Sequence, residues 1–374
     1  MYKSDLTIPP FGNAGKIQET VDFGTFPSTR YQGSKRKILP WIYEHLRKLD
    51  FHTALDLFGG STVVSYLFKR MGKSVIYNDT LRFNYVSGLA LIENDFVTLP
   101  TDDVKFLTGQ CHDKHEPGFI ERTFEGIYFT RAENRELDYI RRRISELAID
   151  DTTGKFKAAL ASHALFQTCL VKRPFNLFHR KNLYLRSARV KRTFGNKQTW
   201  DTPLIEHFAK FLEEASSLVF KGRVPCRSMN CDALSSELPQ CDLVYIDPPY
   251  LSQRNHETSD YYKCYHFLEG FCRYDEWPQM IDMSTHNRRL RRVPNIWLDN
   301  DQIFNAFDSL FEKFKESILV ISYKRFGVPS ISTLRRMLRR HGRRVCVHSR
   351  HYVYALNNQN GDAQFNREAL IVAT

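Results

Sequence analysis

The apolar positions of the chain change period twice, and the changes mark three regions. Up to about Thr29, glycines and prolines break up a weakly periodic stretch, which predicts an irregular arm. Ile38, Leu39, Ile42 and Leu46 then recur at helical spacing. Thr53-Ala54-Leu55-Asp56-Leu57-Phe58 is a short apolar run, hence a strand, and it passes directly into Gly59-Gly60-Ser61. Val63, Val64, Leu67 and Phe68 follow on one face of a helix. Ser74-Val75-Ile76-Tyr77 makes a second strand, ending at Asn78-Asp79. Strand, glycine turn, helix, strand and acid, in that order, open a βαβ unit.

From about Asn84 to Phe220 the pattern is helical and richly charged, with no Val/Ile-rich run of strand type. Ala158 to Leu170 reads as an apolar helix and Pro203 to Val219 as an amphipathic one. Between them, Pro174 to Lys197 is irregular and very basic. The α/β pattern resumes with Val224 to Met229, with Asp242 to Asp247 and with Ser317 to Ser322. A helix carrying Leu334, Met337 and Leu338 and two closing strands, Arg343 to Ser349 and Ala369 to Ala373, complete it. The chain therefore divides into residues 1–84 and 222–374, two parts of one α/β domain, and an inserted helical domain, residues 85–221.

Composition narrows the partners. The 374 residues, 42% of them hydrophobic, can bury a large core. No long uncharged apolar run suggests a membrane span, and no signal-like stretch opens the chain. A net charge of +12 suits a polyanion. The eight cysteines are scattered, with no C-x-x-C pair, as expected of free thiols in a reducing cytoplasm. His112 and His115 flank Asp113 in a polar stretch read as a solvated loop, so no metal site is expected.

The most specific chemistry lies where a strand ends in Asp247-Pro248-Pro249-Tyr250. A proline cannot donate to a sheet ladder and pushes the residue before it out of the helical region. The turn therefore presents a carboxylate, a carbonyl and an aromatic face. Those groups can grip a planar ring bearing an amino group. Such an amine is a poor nucleophile, because its lone pair is delocalised into the ring. Acceptors on both N–H bonds, from Asp247 and the Pro248 carbonyl, draw it toward a tetrahedral amine and stabilise the positive charge that develops. Tyr250 can stack on the ring.

The first turn, Asp56 to Ser61, lets a ligand approach the backbone and offers the N–H groups of a helix start. It is not the G-x-G-x-x-G fingerprint, so a phosphate is not specially called for. Asp79, about 20 residues on, stands where such folds place an acid for ribose hydroxyls. Asp232 can reach an adenine ring or simply cap a helix. S-adenosylmethionine, a nucleoside without phosphates, meets this description.

Taken in order, Tyr31-Gln32-Gly33-Ser34-Lys35, Asp56-Leu57-Phe58-Gly59-Gly60, Asp79 and Asp247-Pro248-Pro249-Tyr250 resemble the Dam-like alpha group of DNA adenine-N6 methyltransferases. Lys172-Arg173-Pro174-Phe175-Asn176, Tyr265 to Gly270 and Ile321-Ser322-Tyr323-Lys324 fit as well. The resemblance implies a Rossmann-like class I fold with a mostly parallel, roughly seven-stranded sheet and an inserted, mainly helical target-recognition domain. It implies methyl transfer from S-adenosylmethionine to adenine in duplex DNA. Asp247, Pro248, Pro249 and Tyr250 would hold the base. Tyr31, Gly33, Lys35, Asp56, Phe58, Gly59, Gly60, Ser61, Asp79, Asp232 and Asp247 would surround the cofactor. In one departure, the second glycine of the family's F-x-G-x-G falls on Ser61 or Thr62.

The target must be flipped from the stack, at a cost of about a few kcal/mol that phosphate contacts offset. Lys172, Arg173, Arg180, Lys181, Arg186, Arg189, Lys191, Arg192 and Lys197 are the candidate DNA contacts, with Phe178, Tyr184 and Phe194 among them. Arg289, Arg291 and Arg292 form a second basic loop. Arg335, Arg336, Arg339 and Arg340 alternate with apolar residues, as on the outer face of a packed helix. Tyr261, Tyr262, Tyr265 and His266 have the spacing of helix core. The reading is a site-specific adenine methyltransferase in the cytoplasm of a bacterium or encoded by a phage, alone or paired with a restriction endonuclease. Cytosine-N4 methylation, or a degenerate methylase fold that only binds DNA, are the alternatives.

Overall fold

The computed structural model describes residues 21–109, 116–148, 151–187, 197–251, 259–351 and 367–374. The apolar runs become β1 (Thr53–Asp56), β2 (Ser74–Asn78), β3 (Arg227–Met229), β4 (Leu243–Ile246), β5 (Ile318–Lys324), β6 (Val345–His351) and β7 (Arg367–Ala373). They form one seven-stranded sheet in the order β3-β2-β1-β4-β5-β7-β6. β1 to β5 pair in parallel, and β7 runs antiparallel to both of its neighbours. A parallel sheet is covered on both faces, which is why β4 is apolar and buried at every position.

Alternation along the strands sorts their side chains into two cores. Ala54, Leu243, Tyr245 and Val320 point to one face, packed by α1 (Leu39–Leu46) and α2 (Val63–Arg70). Between β2 and β3 every described element is helical. α3 (Arg82–Gly88), α4 (Arg131–Leu147), α5 (Thr152–Val171) and α6 (Leu204–Ser217) add Phe83, Leu137, Leu165 and Phe208 to that same core. α5 is buried almost all round and packs against α3, α4 and α6. α4 begins at a capping box: Thr130 and Glu133 each accept the other's backbone N–H. The inserted helices thus rest on the sheet and share its core. α7 (His266–Cys272) lies against α3. Leu55, Leu57, Val244, Ile246 and Leu319 point to the opposite face, packed by Phe307 and Leu310 of α8 (Ile303–Lys313) and by Leu334 and Leu338 of α9 (Ile331–Arg340).

Two strands are shorter than their apolar runs. β1 ends at Asp56, because the chain turns away at Gly59, whose N–H donates to the Asn78 carbonyl. β3 begins at Arg227 rather than Val224, since Pro225 has no N–H for the ladder. No described helix is long and apolar enough to cross a membrane. β1 sits between β2 and β4, and the crossovers from β1 and β4 depart to opposite sides. A crevice therefore opens at the carboxyl ends of those two strands. Both signature turns empty into it.

Candidate active site

The glycine turn after β1 is built on an aromatic ring. A Cβ on Gly59 would lie 2.1 Å from Cε2 of Tyr77, so no other residue fits there. The Tyr77 hydroxyl donates to the Gly60 carbonyl at 2.9 Å. Gly60 (φ +48°) and Thr62 (φ +66°) both occupy the left-handed region. For a β-branched residue this is an outlier. The chain keeps the backbone path of a glycine at Thr62 without having the glycine.

Asp79 stitches the turn to β2. Its carboxylate accepts from the N–H of Gly60 (2.9 Å), the N–H of Leu81 (2.8 Å) and Asn84 Nδ2 (3.0 Å). Burial lifts this carboxyl to about 6, against those hydrogen bonds. Burial also lifts Asp56 to about 7, although the Ser65 hydroxyl donates to it at 2.7 Å; the negative charges of Asp247 and Asp79 add to the rise.

The turn after β4 carries a buried charge cluster. Lys35 Nζ lies 2.9 Å from Asp247 Oδ2 and 3.4 Å from Glu368 Oε1, and donates to the Tyr250 hydroxyl at 2.9 Å. That hydroxyl lies 2.6 Å from Asp247 Oδ1 and 2.9 Å from Glu368 Oε1. Ser322 donates to Glu368 at 2.8 Å. Burial alone would drive the Lys35 ammonium down, but Asp247 and Glu368 outweigh it and hold it well above its ordinary value. Asp247 is raised, by burial first and by Glu368, with Lys35 opposing. Among the described residues, the Pro248 carbonyl accepts no hydrogen bond. The Tyr250 ring meets Tyr323 edge-on, 5.5 Å between centroids.

Both turns open into one cavity of about 390 Å³. Every residue that the sequence proposed for the cofactor and for the turn lines it, from Tyr31 to Tyr250. Asp232 stands at its exposed rim and accepts from its own neighbour, the Leu234 N–H. Phe58 packs edge-on to Trp297, 5.0 Å between centroids. Gly33 (φ +79°) passes under Tyr261, whose hydroxyl lies 2.7 Å from where a Cβ would be. Tyr31 and Tyr261 stack in parallel at 5.3 Å. Tyr265 and His266 are core, as their spacing predicts, whereas Tyr261 and Tyr262 are half-buried and line the cavity. S-adenosylmethionine fits these residues. A Cβ at Gly60 would crowd Tyr31 on the cavity wall at 3.2 Å, and the carboxyls of Asp56, Asp79 and Asp247, which all line the cavity, suit a cationic sulfonium and ammonium.

The basic residues of the insertion separate into two kinds. Lys172 is buried, pairs with Glu133 at 2.9 Å and donates to the carbonyls of Trp200 and Thr202 at 2.6 Å. Arg173 is buried and donates to the carbonyls of Tyr128, Leu177 and Arg180. Arg186 pairs with Glu133 at 2.6 Å, its side chain 6% exposed. The side chains of these three are buried and paired within the insertion. Arg180, Lys181 and Lys197 are exposed, Lys197 in an ion pair with Asp201. Tyr184 is exposed and Phe178 is core. Arg189, Lys191, Arg192 and Phe194 lie outside the described residues, as do His112 and His115.

Sequence reasoning missed Glu368, Ser322 as its partner, and the segment Val293 to Trp297 that walls the cavity. The one signal for Glu368 is an acid at the start of an otherwise apolar closing strand.

Residues 31–325 match the family profile of the D12 class N6 adenine-specific DNA methyltransferase. The chain is 30% identical over 341 residues to the Type II methyltransferase M2.HphI of Haemophilus parahaemolyticus, spanning 89% of this chain and 94% of that protein. It is 25% identical over 335 residues to the Type II methyltransferase M.FokI of Planomicrobium okeanokoites, spanning 84% of this chain and 47% of that protein. Similarity to the Type II methyltransferase M.CviAII of Paramecium bursaria Chlorella virus 1 is 27% over 239 residues, 60% of this chain and 64% of that protein.

Proposed function

The chain belongs to the D12 class of N6 adenine-specific DNA methyltransferases, and from that membership we propose that it methylates the N6 amine of an adenine flipped out of duplex DNA, at a specific site. The observation that carries this reading is the pair of acceptors at the end of β4. Asp247 and Pro248, whose carbonyl accepts no hydrogen bond among the described residues, both line a cavity shared with the glycine turn. S-adenosylmethionine, when bound there, supplies an electrophilic methyl group. Asp247 and the Pro248 carbonyl accept the two N–H bonds of the amine, aim its lone pair and stabilise the charge that develops on nitrogen. The hydroxyl of Tyr250 is held by Lys35, Asp247 and Glu368, which fixes its ring as a wall for the base. Asp79 accepts from the cofactor's ribose hydroxyls, and Asp56 lies beside the glycine turn in the same cavity. Asp247 acts as acceptor and orienter, and the nitrogen proton leaves after the methyl arrives.

Residues 85–221 serve in this reading as the target-recognition part. Exposed Arg180 and Lys181, with Arg189, Lys191 and Arg192, bind phosphates. Its relatives are named Type II methyltransferases. That supports a modification enzyme paired with a restriction endonuclease, or a solitary methylase, working in the cytoplasm.

The test is to incubate the protein with duplex DNA and labelled S-adenosylmethionine and to resolve the nucleosides by mass. N6-methyladenine is the expected product. N4-methylcytosine would replace the substrate. No product and no cofactor heat in calorimetry would leave a protein that acts by DNA binding alone.

A further inference from the structure

The last strand brings a second carboxylate into the site. Glu368 is fully buried on β7, cross-strand from Lys324 and beside Ser322. It competes with Asp247 for the same two partners. Tyr250 has one hydroxyl hydrogen, and both carboxylates lie within reach of it, at 2.6 Å for Asp247 and 2.9 Å for Glu368. Lys35 has one positive charge, 2.9 Å from Asp247 and 3.4 Å from Glu368. Whatever share Glu368 takes, Asp247 lacks. We propose that Glu368 is a positioning residue that sets the acceptor strength of Asp247, by drawing the Lys35 ammonium and the Tyr250 hydroxyl partly to itself. This rests on the methyltransferase reading, since Asp247 is there the acceptor for the amine.

The charged and titratable groups around the pair are few. Asp247 is faced by Lys35, Tyr250, Glu368, Tyr245, Tyr261 and Asp56. Glu368 is faced by Lys35, Tyr250, Ser322 and Lys324. Burial lowers Lys324 to about 8, with Glu368 opposing, so its change of charge falls on the alkaline side. On the acid side Asp56, Asp79 and Glu269 of the same cavity also titrate, and Glu368 is in contact with none of them, so the part of the acid limb that moves with Glu368 belongs to Asp247. Glu368 is among the groups that raise Asp247, so its neutralisation lets Lys35 pull Asp247 down.

The experiment compares wild type with Glu368→Gln, which keeps the shape, and Glu368→Asp, which keeps the charge. In Glu368→Gln the kcat is expected to fall at least about tenfold. The acid limb of the kcat profile should move to lower pH by about one unit, the effect of losing one nearby like charge. The Kd for S-adenosylmethionine should stay within about twofold, and Glu368→Asp should recover part of both changes. A lower melting temperature with an unmoved acid limb would make Glu368 merely structural and overturn the proposal. A second readout needs no turnover: carbon-13 aspartate NMR, with Asp247→Asn to assign the signal. It should show the Asp247 carboxyl titrating at lower pH in Glu368→Gln. If wild type methylates nothing, the functional reading fails and this titration alone decides the inference. An unmoved titration refutes it.

Discussion

Among the buried charges of the described residues, the cluster around Glu133 and the cluster around Lys35 end differently. Around Glu133, the cations Lys172 and Arg186 close on one carboxylate, and the spare donors of Lys172 go to the carbonyls of Trp200 and Thr202. Neighbouring Arg173 spends its guanidinium on the Tyr128, Leu177 and Arg180 carbonyls. Each of these partners belongs to the helical insertion itself. Around Lys35, two carboxylates and a phenol converge on one ammonium from two other segments of chain, the Asp247–Tyr250 turn and β7. Among the described residues the Pro248 carbonyl beside them accepts no hydrogen bond, and a cavity opens in front. Burial is similar in both places. What differs is what the cluster borders: the first is enclosed within the insertion, whereas the second lines a cavity, where perturbed titratable groups mark a candidate site.

The comparison breaks first at Asp247. Asp247→Ala should reduce methylation by about 10³-fold while cofactor affinity, measured by calorimetry, changes little. More than a few per cent of residual activity would remove Asp247 from its role. Next comes the closed cluster. Glu133→Ala strands Lys172 and Arg186 as unpaired buried charges and should cost about 3 kcal/mol in denaturant unfolding. A variant as stable as wild type would mean that the cluster opens to solvent.

Smaller effects sharpen the contrast between inner and outer cations. Arg180→Ala and Lys181→Ala should each lower the slope of log affinity for DNA against log salt by about one, with unchanged melting. Arg173→Met should do the reverse, lowering stability without altering that slope. The smallest effect concerns Asp56. Unfolded, it ionises near pH 3.9; folded, it holds its proton to about 7. Between those values the folded chain binds more protons, so this contribution to stability is present at low pH and lost as pH rises toward 7. Asp56→Asn should therefore gain on wild type as pH rises from 5 toward 7, by at most about 1.4 kcal/mol per pH unit, read from paired unfolding curves. A parallel pH dependence in the two proteins would refute the buried proton.

Much of the fold was legible, because the features that specify it are local. Parallel strands are near-continuous apolar runs, so β1, β2, β4 and β5 were visible, and so was the helical character of the described residues between Asn84 and Phe220. The cavity-lining turns were legible for the same reason: Gly59 and the Asp247 to Tyr250 turn each constrain their own backbone. Strand ends were less so. Pro225 cut β3 short, and Thr62 took a glycine's conformation that its identity disfavours. The burial of some charges in the insertion was not legible, because a lysine or arginine reads as exposed until a carboxylate elsewhere claims it. Lys172 and Arg173 had such partners in Glu133 and in backbone carbonyls that no spacing rule pairs with them.

By itself, then, the sequence determined which segments are strands and helices and which turns carry the carboxylate, the carbonyl and the glycine backbone. Those depend on side-chain period, on proline's missing N–H and on glycine's missing Cβ, all properties of neighbouring residues. Only the tertiary structure decided that Lys35, Asp247, Tyr250 and Glu368 would meet, that Tyr31 would stack on Tyr261, and which cations would face inward. Those depend on the antiparallel insertion of β7 beside β5 and on packing across the sheet. The energy of a charge is set by what surrounds it in space, and the chain brings those surroundings from residues hundreds of positions apart.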